Sequence, residues 1–256
     1  MNRAPAVVAD WPAPAGVHAF TTLRHGAGVS QAPFDTFNLG NKYAADGDDP
    51  SVVARNRANL AALAGLPSAP HWLKQVHGIE VLRVDAPAVP GASEPEADAL
   101  VTSVPGVVLA ILTADCLPVV FAAKDGSEIA AAHAGWPGLS KGMLEAALAA
   151  MRTPATNVIA WIGPAAGPQR YEVGGNVFDA FVAPDAGAAA AFAPTRPGHW
   201  LADLPALARR RLVAHGMRAE DIHGGNRCTI SEPEHFFSHR RDGRSGRIAT
   251  LAWMQP

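Results

Sequence analysis

The sequence predicts a single mixed α/β domain of the α+β kind. Three observations predict it. Apolar, β-rich segments come in runs, and helices do not alternate strictly with them, which argues against a regular βαβ winding. Hydrophobic residues make up 48% and charged residues 17% of the 256 residues, the balance of a globular chain with a large core. No linker rich in Pro, Gly or Ser divides the chain, so residues 1–256 read as one domain.

Residues 17–22 alternate and are rich in β-formers, hence a strand, and residues 24–30 with two glycines form a loop. Asp49, Pro50 and Ser51 open a helix that runs to about Leu63 and is stopped by Gly65 and Pro67. Residues 71–75 and 79–84 read as strands around Gly78, and the Pro-, Gly- and acid-rich residues 87–96 as a surface loop. Residues 99–103 and 107–113 are apolar strands joined at Pro105 and Gly106; residues 119–123 and 129–132 form a hairpin around Lys124, Asp125 and Gly126. A helix follows over residues 140–151, then a strand over 158–162. The Ala-rich stretch 186–191 is filler between helices at residues 175–181 and 204–214, the second capped by Asp203. Residues 250–253 close the sheet.

A net charge of -2 offers no basic field for nucleic acid, and no apolar run approaches the roughly 20 residues of a membrane span. The amino-terminal stretch, with Pro5, Pro12 and Pro14, lacks the apolar core of a signal peptide. Two cysteines without a C-x-x-C cannot frame a disulfide scaffold, so the expected location is a reducing cytoplasm. Edge strands and Ala-rich surface helices are compatible with a monomer, which is the expected state.

Chemistry concentrates in three separate segments: His77 in Lys74–Gly78, Cys116 between Asp115 and Leu117, and His133 before Ala134, Gly135 and Trp136. Two imidazoles and a thiolate suit zinc or copper, and three protein ligands leave a coordination position open for water or substrate. The same residues allow a metal-free alternative, with Cys116 as nucleophile, His133 as base, and Asp115 or His77 orienting the base. Long spacings do not separate these readings, and a buried hydrophobic cysteine with unrelated histidines fits them too. Arg240 and Arg241, beside Phe236 and Phe237, could hold a phosphate or stack on a flat ring; their bland counterpart is a solvated turn. Arg24 and Asn38 sit in Gly-containing loops where they could face a ligand or simply serve turn chemistry.

The segments Thr21–Arg24, Phe37–Gly40, Gln75–Gly78, Thr113–Val119, His133–Trp136, Ile162–Pro164, Tyr171–Gly174 and Phe236–Asp242 together resemble the YfiH-type laccase-domain proteins. They run in the family's order over about residues 17–253. These proteins are described as purine nucleoside phosphorylases and, earlier, as polyphenol oxidases. The resemblance implies a layered α/β/β/α sandwich and metal ligands at His77, Cys116 and His133. It implies phosphorolysis of adenosine, inosine and 5'-methylthioadenosine, and deamination of adenosine. Its metal is zinc, with copper invoked for the oxidase activity; some members are called peptidoglycan editing factors acting on a cell-wall precursor. Two departures stand out: Pro137 where the family commonly has Arg, and Arg170 where it often has Cys.

The expected partners are thus a nucleoside and phosphate. Asp115 is the nearest carboxylate to Cys116 and would shuttle protons, or lie behind a histidine and orient it. Arg24, Arg240 or Arg241 would hold phosphate. Three alternatives stay open: a copper polyphenol oxidase, a cysteine hydrolase or cell-wall editing factor, and a metal-stabilised partner protein without catalysis. The oxidase reading meets an obstacle, because four-electron oxygen reduction generally needs several coppers and none of the ten histidines forms a His-x-His pair.

Overall fold

The computed structural model describes residues 4–256. Residues 1–3, part of the amino-terminal stretch considered above, lie outside the described residues. In chain order the strands are β1 (Ala6–Val8), β2 (Val17–Thr22), β3 (Pro70–His71), β4 (Val81–Arg83), β5 (Ala99–Thr102), β6 (Val108–Thr113) and β7 (Leu117–Ala123). They continue with β8 (Ile129–Ala134), β9 (Val158–Ile162), β10 (Glu172–Gly174), β11 (Phe192–Pro194), β12 (His199–Ala202), β13 (Ile222–Gly224) and β14 (Ile248–Met254). The helices are α1 (Pro50–Ala64), α2 (Trp136–Lys141), α3 (Met143–Ala150), α4 (Gly175–Val182), α5 (Leu204–Ala214) and the single turn α6 (His239–Asp242).

Two larger sheets carry the architecture: β1-β2-β14-β6-β3 and β13-β9-β7-β8-β5-β4, beside a small sheet β10-β12-β11. Period-two alternation sorts each central strand into layers. In β7, Leu117, Val119 and Phe121 share a core with Leu144 of α3, Phe181 of α4 and Leu207 of α5. The intervening Val120 and Ala122 face Leu109 and Ile111 of β6 and Ala252 of β14. Val108 and Ala110 of β6 turn the other way, onto Phe20 of β2 and Leu60 of α1. The result is the α/β/β/α sandwich that the resemblance implies. β7 can be apolar at every position, and β6 at every position but its last, Thr113, because both their faces are covered.

Helix boundaries follow capping chemistry. The Asp49 carboxylate accepts from the Ser51 backbone N–H at 2.7 Å, and Gly65 ends α1 in the left-handed region at φ 59. Asp203 caps α5 through the Ala206 N–H at 2.8 Å. The helix expected over residues 140–151 is instead two helices, α2 beginning at Trp136 and α3 ending at Ala150, broken where Gly142 adopts φ 103. The strand expected over 71–75 stops at His71. Beyond it the Gln75 side chain takes over the pairing with β6: its Nε2 donates to the Leu112 carbonyl at 2.7 Å and its Oε1 accepts from the Leu112 N–H at 2.8 Å. The backbone is thereby freed to carry His77. The stretch Ala186–Ala191 is a 3-10 helix. Among the described residues, no helix is long and apolar enough to cross a membrane.

Candidate metal centre

His133 has the parity of Ile129 and Ala131 in β8, so it points into the layer between the sheets, where an unpartnered imidazole would be costly. Asp98, buried just before β5, supplies the partner: its Oδ1 lies 2.8 Å from His133 Nδ1. This contact keeps the other ring nitrogen, Nε2, as the free donor. The same carboxylate gathers the loop that bears His77. Its Oδ1 accepts from the His77 N–H at 3.0 Å, and its Oδ2 from Gly78 at 2.7 Å and Val76 at 3.3 Å. His77 holds a left-handed backbone at φ 59. Such a conformation is uncommon for a side-chain-bearing residue and persists where surrounding contacts impose it.

Cys116 stands one residue before β7, whose pairing with β8 sets Pro118 opposite His133. Its neighbour Asp115, at φ 88, is tied down by both carboxylate oxygens. Oδ1 accepts from the Thr229 hydroxyl at 2.6 Å and Oδ2 from the Arg240 backbone N–H at 2.6 Å. These bonds clamp the Cys116 turn to the carboxy-terminal segment. The three donors then converge: Cys116 Sγ is 3.6 Å from His77 Nε2, and one ligand atom from each of His77, Cys116 and His133 lies within 4.8 Å of the others. This group could hold a metal ion. Gly135 makes the convergence possible, since a Cβ there would lie 2.5 Å from His77 Cδ2 and 3.0 Å from Cys116 Sγ.

Burial works against ionising the Cys116 thiol, but the charge of His133 and hydrogen bonds from His133 and His77 outweigh it and lower its pKa to about 6. For His133, burial opposes the proton, yet Cys116 and Asp98 together raise its pKa to about 9. Without metal the pair is therefore thiolate and imidazolium between those values. The thiol loses its proton as pH rises through about 6 rather than its ordinary 9.0, and the imidazole stays charged until about 9. Iodoacetamide should accordingly alkylate Cys116 of metal-stripped protein with a rate that rises through pH 6, and added zinc should protect it. A rate rising only near pH 9 would contradict the geometry.

Three of the anticipated site residues come together and the others do not. His77, Cys116 and His133 line one cleft of about 490 Å³. Arg24, Asn38, Asp115, Arg240 and Arg241 are not among its lining residues. Arg24 pairs with Asp35 at 3.3 Å and Asp242 at 3.7 Å and stacks over Phe237. Arg241 donates to the carbonyls of Thr229 at 2.7 Å and Phe236 at 3.0 Å and pairs with Asp242. Arg240 covers the Tyr171 ring and donates to the Glu172 carbonyl. Asn38 is buried, with its amide on Asp48 and its Oδ1 on the backbone of Gly40 and Arg247.

Two residues escaped the reading of the sequence. Asp98 takes the histidine-orienting position weighed for Asp115; in the sequence it is only the last of three alternating acids, Glu94, Glu96 and Asp98, ahead of an apolar strand. Arg247, just before β14, lines the cleft, and no motif announced it. Asp98→Asn should lower metal affinity on the order of 10- to 100-fold, as loss of a ligand-orienting carboxylate does. Competition with a chelator of known affinity measures this, and an unchanged affinity would leave Asp98 with a role in the loop alone.

A family model described as multi-copper polyphenol oxidoreductase laccase matches residues 17–255. The purine nucleoside phosphorylase of Xylella fastidiosa (strain 9a5c) is 61% identical over 258 residues, covering 99% of each chain. The purine nucleoside phosphorylase YfiH of Escherichia coli (strain K12) is 48% identical over 97% of this chain and 98% of its own. A crystal structure of a Neisseria meningitidis protein superposes with a TM-score of 0.89 at 43% identity, covering 98% of this chain and 100% of that one.

Proposed function

We propose that this chain, which belongs to the multi-copper polyphenol oxidoreductase laccase family, is a zinc-dependent purine nucleoside phosphorylase. Its substrates are adenosine, inosine and 5'-methylthioadenosine, with deamination of adenosine as a side activity. The observation that carries the reading is one nitrogen-nitrogen-sulfur donor group in the wall of a cleft of about 490 Å³, a size suited to a nucleoside. The names of relatives that match nearly the whole chain point the same way.

His77, Cys116 and His133 would hold the zinc. When bound, it would supply Lewis-acid polarisation of a phosphate or ribose oxygen. A phosphate oxygen forms the new bond to the ribose anomeric carbon as the bond from that carbon to the purine nitrogen breaks. The bonding pair leaves with the purine, and the proton given up by phosphate balances the one the purine nitrogen gains. The chain's own part is positioning. Asp98 fixes the tautomer of His133 and the pose of His77, while Asp115, through Thr229 and Arg240, fixes the Cys116 turn. In deamination, water adds at the purine carbon bearing the amine, and ammonia leaves.

A multi-copper oxidase is supported less. Among the described residues, His77, Cys116 and His133 form the one group of metal-donor side chains, against the several copper sites that four-electron chemistry calls for. A second reading, a metal-free cysteine hydrolase editing a cell-wall precursor, draws on the lowered pKa of Cys116 beside a charged His133. Incubating zinc-loaded protein with inosine, with and without phosphate, tests the proposal. Phosphate-dependent hypoxanthine with ribose 1-phosphate as co-product is expected. Release indifferent to phosphate, or none, would retire it in favour of the second reading.

A further inference from the structure

A phosphorylase must hold a phosphate dianion against a neutral nucleoside, so the cleft needs a cation not already neutralised by protein. Of the strong cations that line it, Lys42 and Arg57 share Glu94 at 2.6 Å each, and Lys74 pairs with Glu96 at 2.7 Å. Arg247 differs: among the described residues it has no carboxylate within ion-pair distance. Its Nη1 donates to the carbonyls of Ser245 and Gly246 at 2.9 Å each, while Nε and Nη2 make no hydrogen bond to a described residue. That free edge is the planar two-donor fork that matches two oxygens of a phosphate.

The surroundings hold the backbone of this residue in place, as the Nη1 bonds hold its side chain. The Arg247 N–H donates to Asn38 Oδ1 at 2.8 Å, its carbonyl accepts from the Leu39 N–H at 3.0 Å, and Asn38 Oδ1 also takes the Gly40 N–H at 3.0 Å. Gly40 leaves room for the stem: a Cβ there would lie 3.1 Å from both Cβ and Cγ of Arg247. Burial draws the Arg247 pKa down, opposed by the negative charges of Cys116 and Asp115. The guanidinium stays charged at neutral pH all the same.

We propose that Arg247 is the phosphate-binding residue of the cleft, with Asn38 and Gly40 as its positioning residues. The proposal rests on the phosphorylase reading for the use of the anion, and on the geometry alone for the anion site. The competing role is that of a counter-charge to the Cys116 thiolate, and the two roles separate by experiment.

In zinc-loaded protein, Arg247→Met should raise the KM for phosphate on the order of 10- to 100-fold, the worth of a lost charge-assisted pair. The KM for inosine and the zinc content should change little, and Arg247→Lys should recover part of the loss. An unchanged phosphate KM, or zinc lost in step with activity, would overturn the proposal. A measurement on the unmodified holoenzyme covers the case of a variant that does not fold. Phenylglyoxal modification of Arg247, located by peptide mass, should be slowed by inorganic phosphate and not by chloride at equal ionic strength. No protection overturns the site. Protection without phosphate-dependent cleavage of inosine supports the site and removes the phosphorylase reading.

Discussion

Gly135→Ala is expected to strip the metal centre while leaving the sheets folded. Gly135 is the N-cap of α2 at φ -59 and ψ 156, a conformation open to alanine, so the backbone itself does not forbid the change. The obstacle is space. The added Cβ would stand 2.5 Å from His77 Cδ2, 3.0 Å from Cys116 Sγ and 3.2 Å from His77 Nε2. Cys116 precedes a central strand and cannot retreat, whereas His77 is exposed on its loop and gives way. The pinch therefore separates two of the three donors. The cost to folding is the difference between a glycine and an alanine cap, about 1 kcal/mol or less. Metal affinity should fall on the order of 100-fold or more, beyond what loss of an outer carboxylate brings. Elemental analysis together with a thermal melt reads both quantities. Normal zinc content in a folded Gly135→Ala protein would mean that the donors do not meet as described.

Cys116→Ala is the second change of large effect. It removes the one anionic donor and leaves two imidazoles, of which His133 also loses the charge that, with Asp98, raises its pKa to about 9. Zinc should drop well below stoichiometry, and nucleoside turnover should fall to background, since residues acting as one unit fail together. Folding should survive, because Cys116 is partly exposed and lies just outside β7. Zinc assay and hypoxanthine release on the same preparation decide the matter. Retention of both would end the metal-centred account. Loss of turnover from a chain that never carried metal would favour the cysteine-hydrolase reading.

Much of the fold was legible in the residues because strong local signals agreed with burial. The expected bounds of β9 and α5 coincide with the observed Val158–Ile162 and Leu204–Ala214, one a short apolar run and the other capped by Asp203. The small sheet of β10, β11 and β12 was not foreseen. Its strands are three or four residues long, include Gly174 and Pro194, and exist through mutual pairing rather than any periodic pattern. β1 and β13 were missed for the same reason of length. The helix misread as one segment over 140–151 breaks at Gly142, where a left-handed glycine serves as the end of α2 and the start of α3.

For the site, residue chemistry alone named His77, Cys116 and His133, but their spacing could not bring them together. The ordered motifs made the expectation, and the structure supplies the convergence. Of the polar residues expected to meet substrate, Arg24 and Asn38 stand out by their Gly-containing loops and Arg240 and Arg241 by the aromatics beside them. Arg24, Asn38, Arg240 and Arg241 spend their polar atoms on carboxylates, aromatic rings, backbone carbonyls and, for Asn38 Oδ1, backbone N–H groups, because buried loop backbone needs such partners. Asn38 sits close behind the cleft all the same, holding Gly40 and Arg247. Asp98 and Arg247 were silent because neither belongs to a local pattern; each matters through contacts made across the sandwich.

The most direct test of the central claim is a zinc titration of metal-stripped protein, with phosphate-dependent hypoxanthine release and Cys116 alkylation followed in the same samples. The one donor group among the described residues predicts that activity rises and alkylation falls in parallel, both reaching their limits at about one zinc per chain. Activity that is full before zinc is added, or a Cys116 that remains alkylatable at saturating zinc, would contradict it.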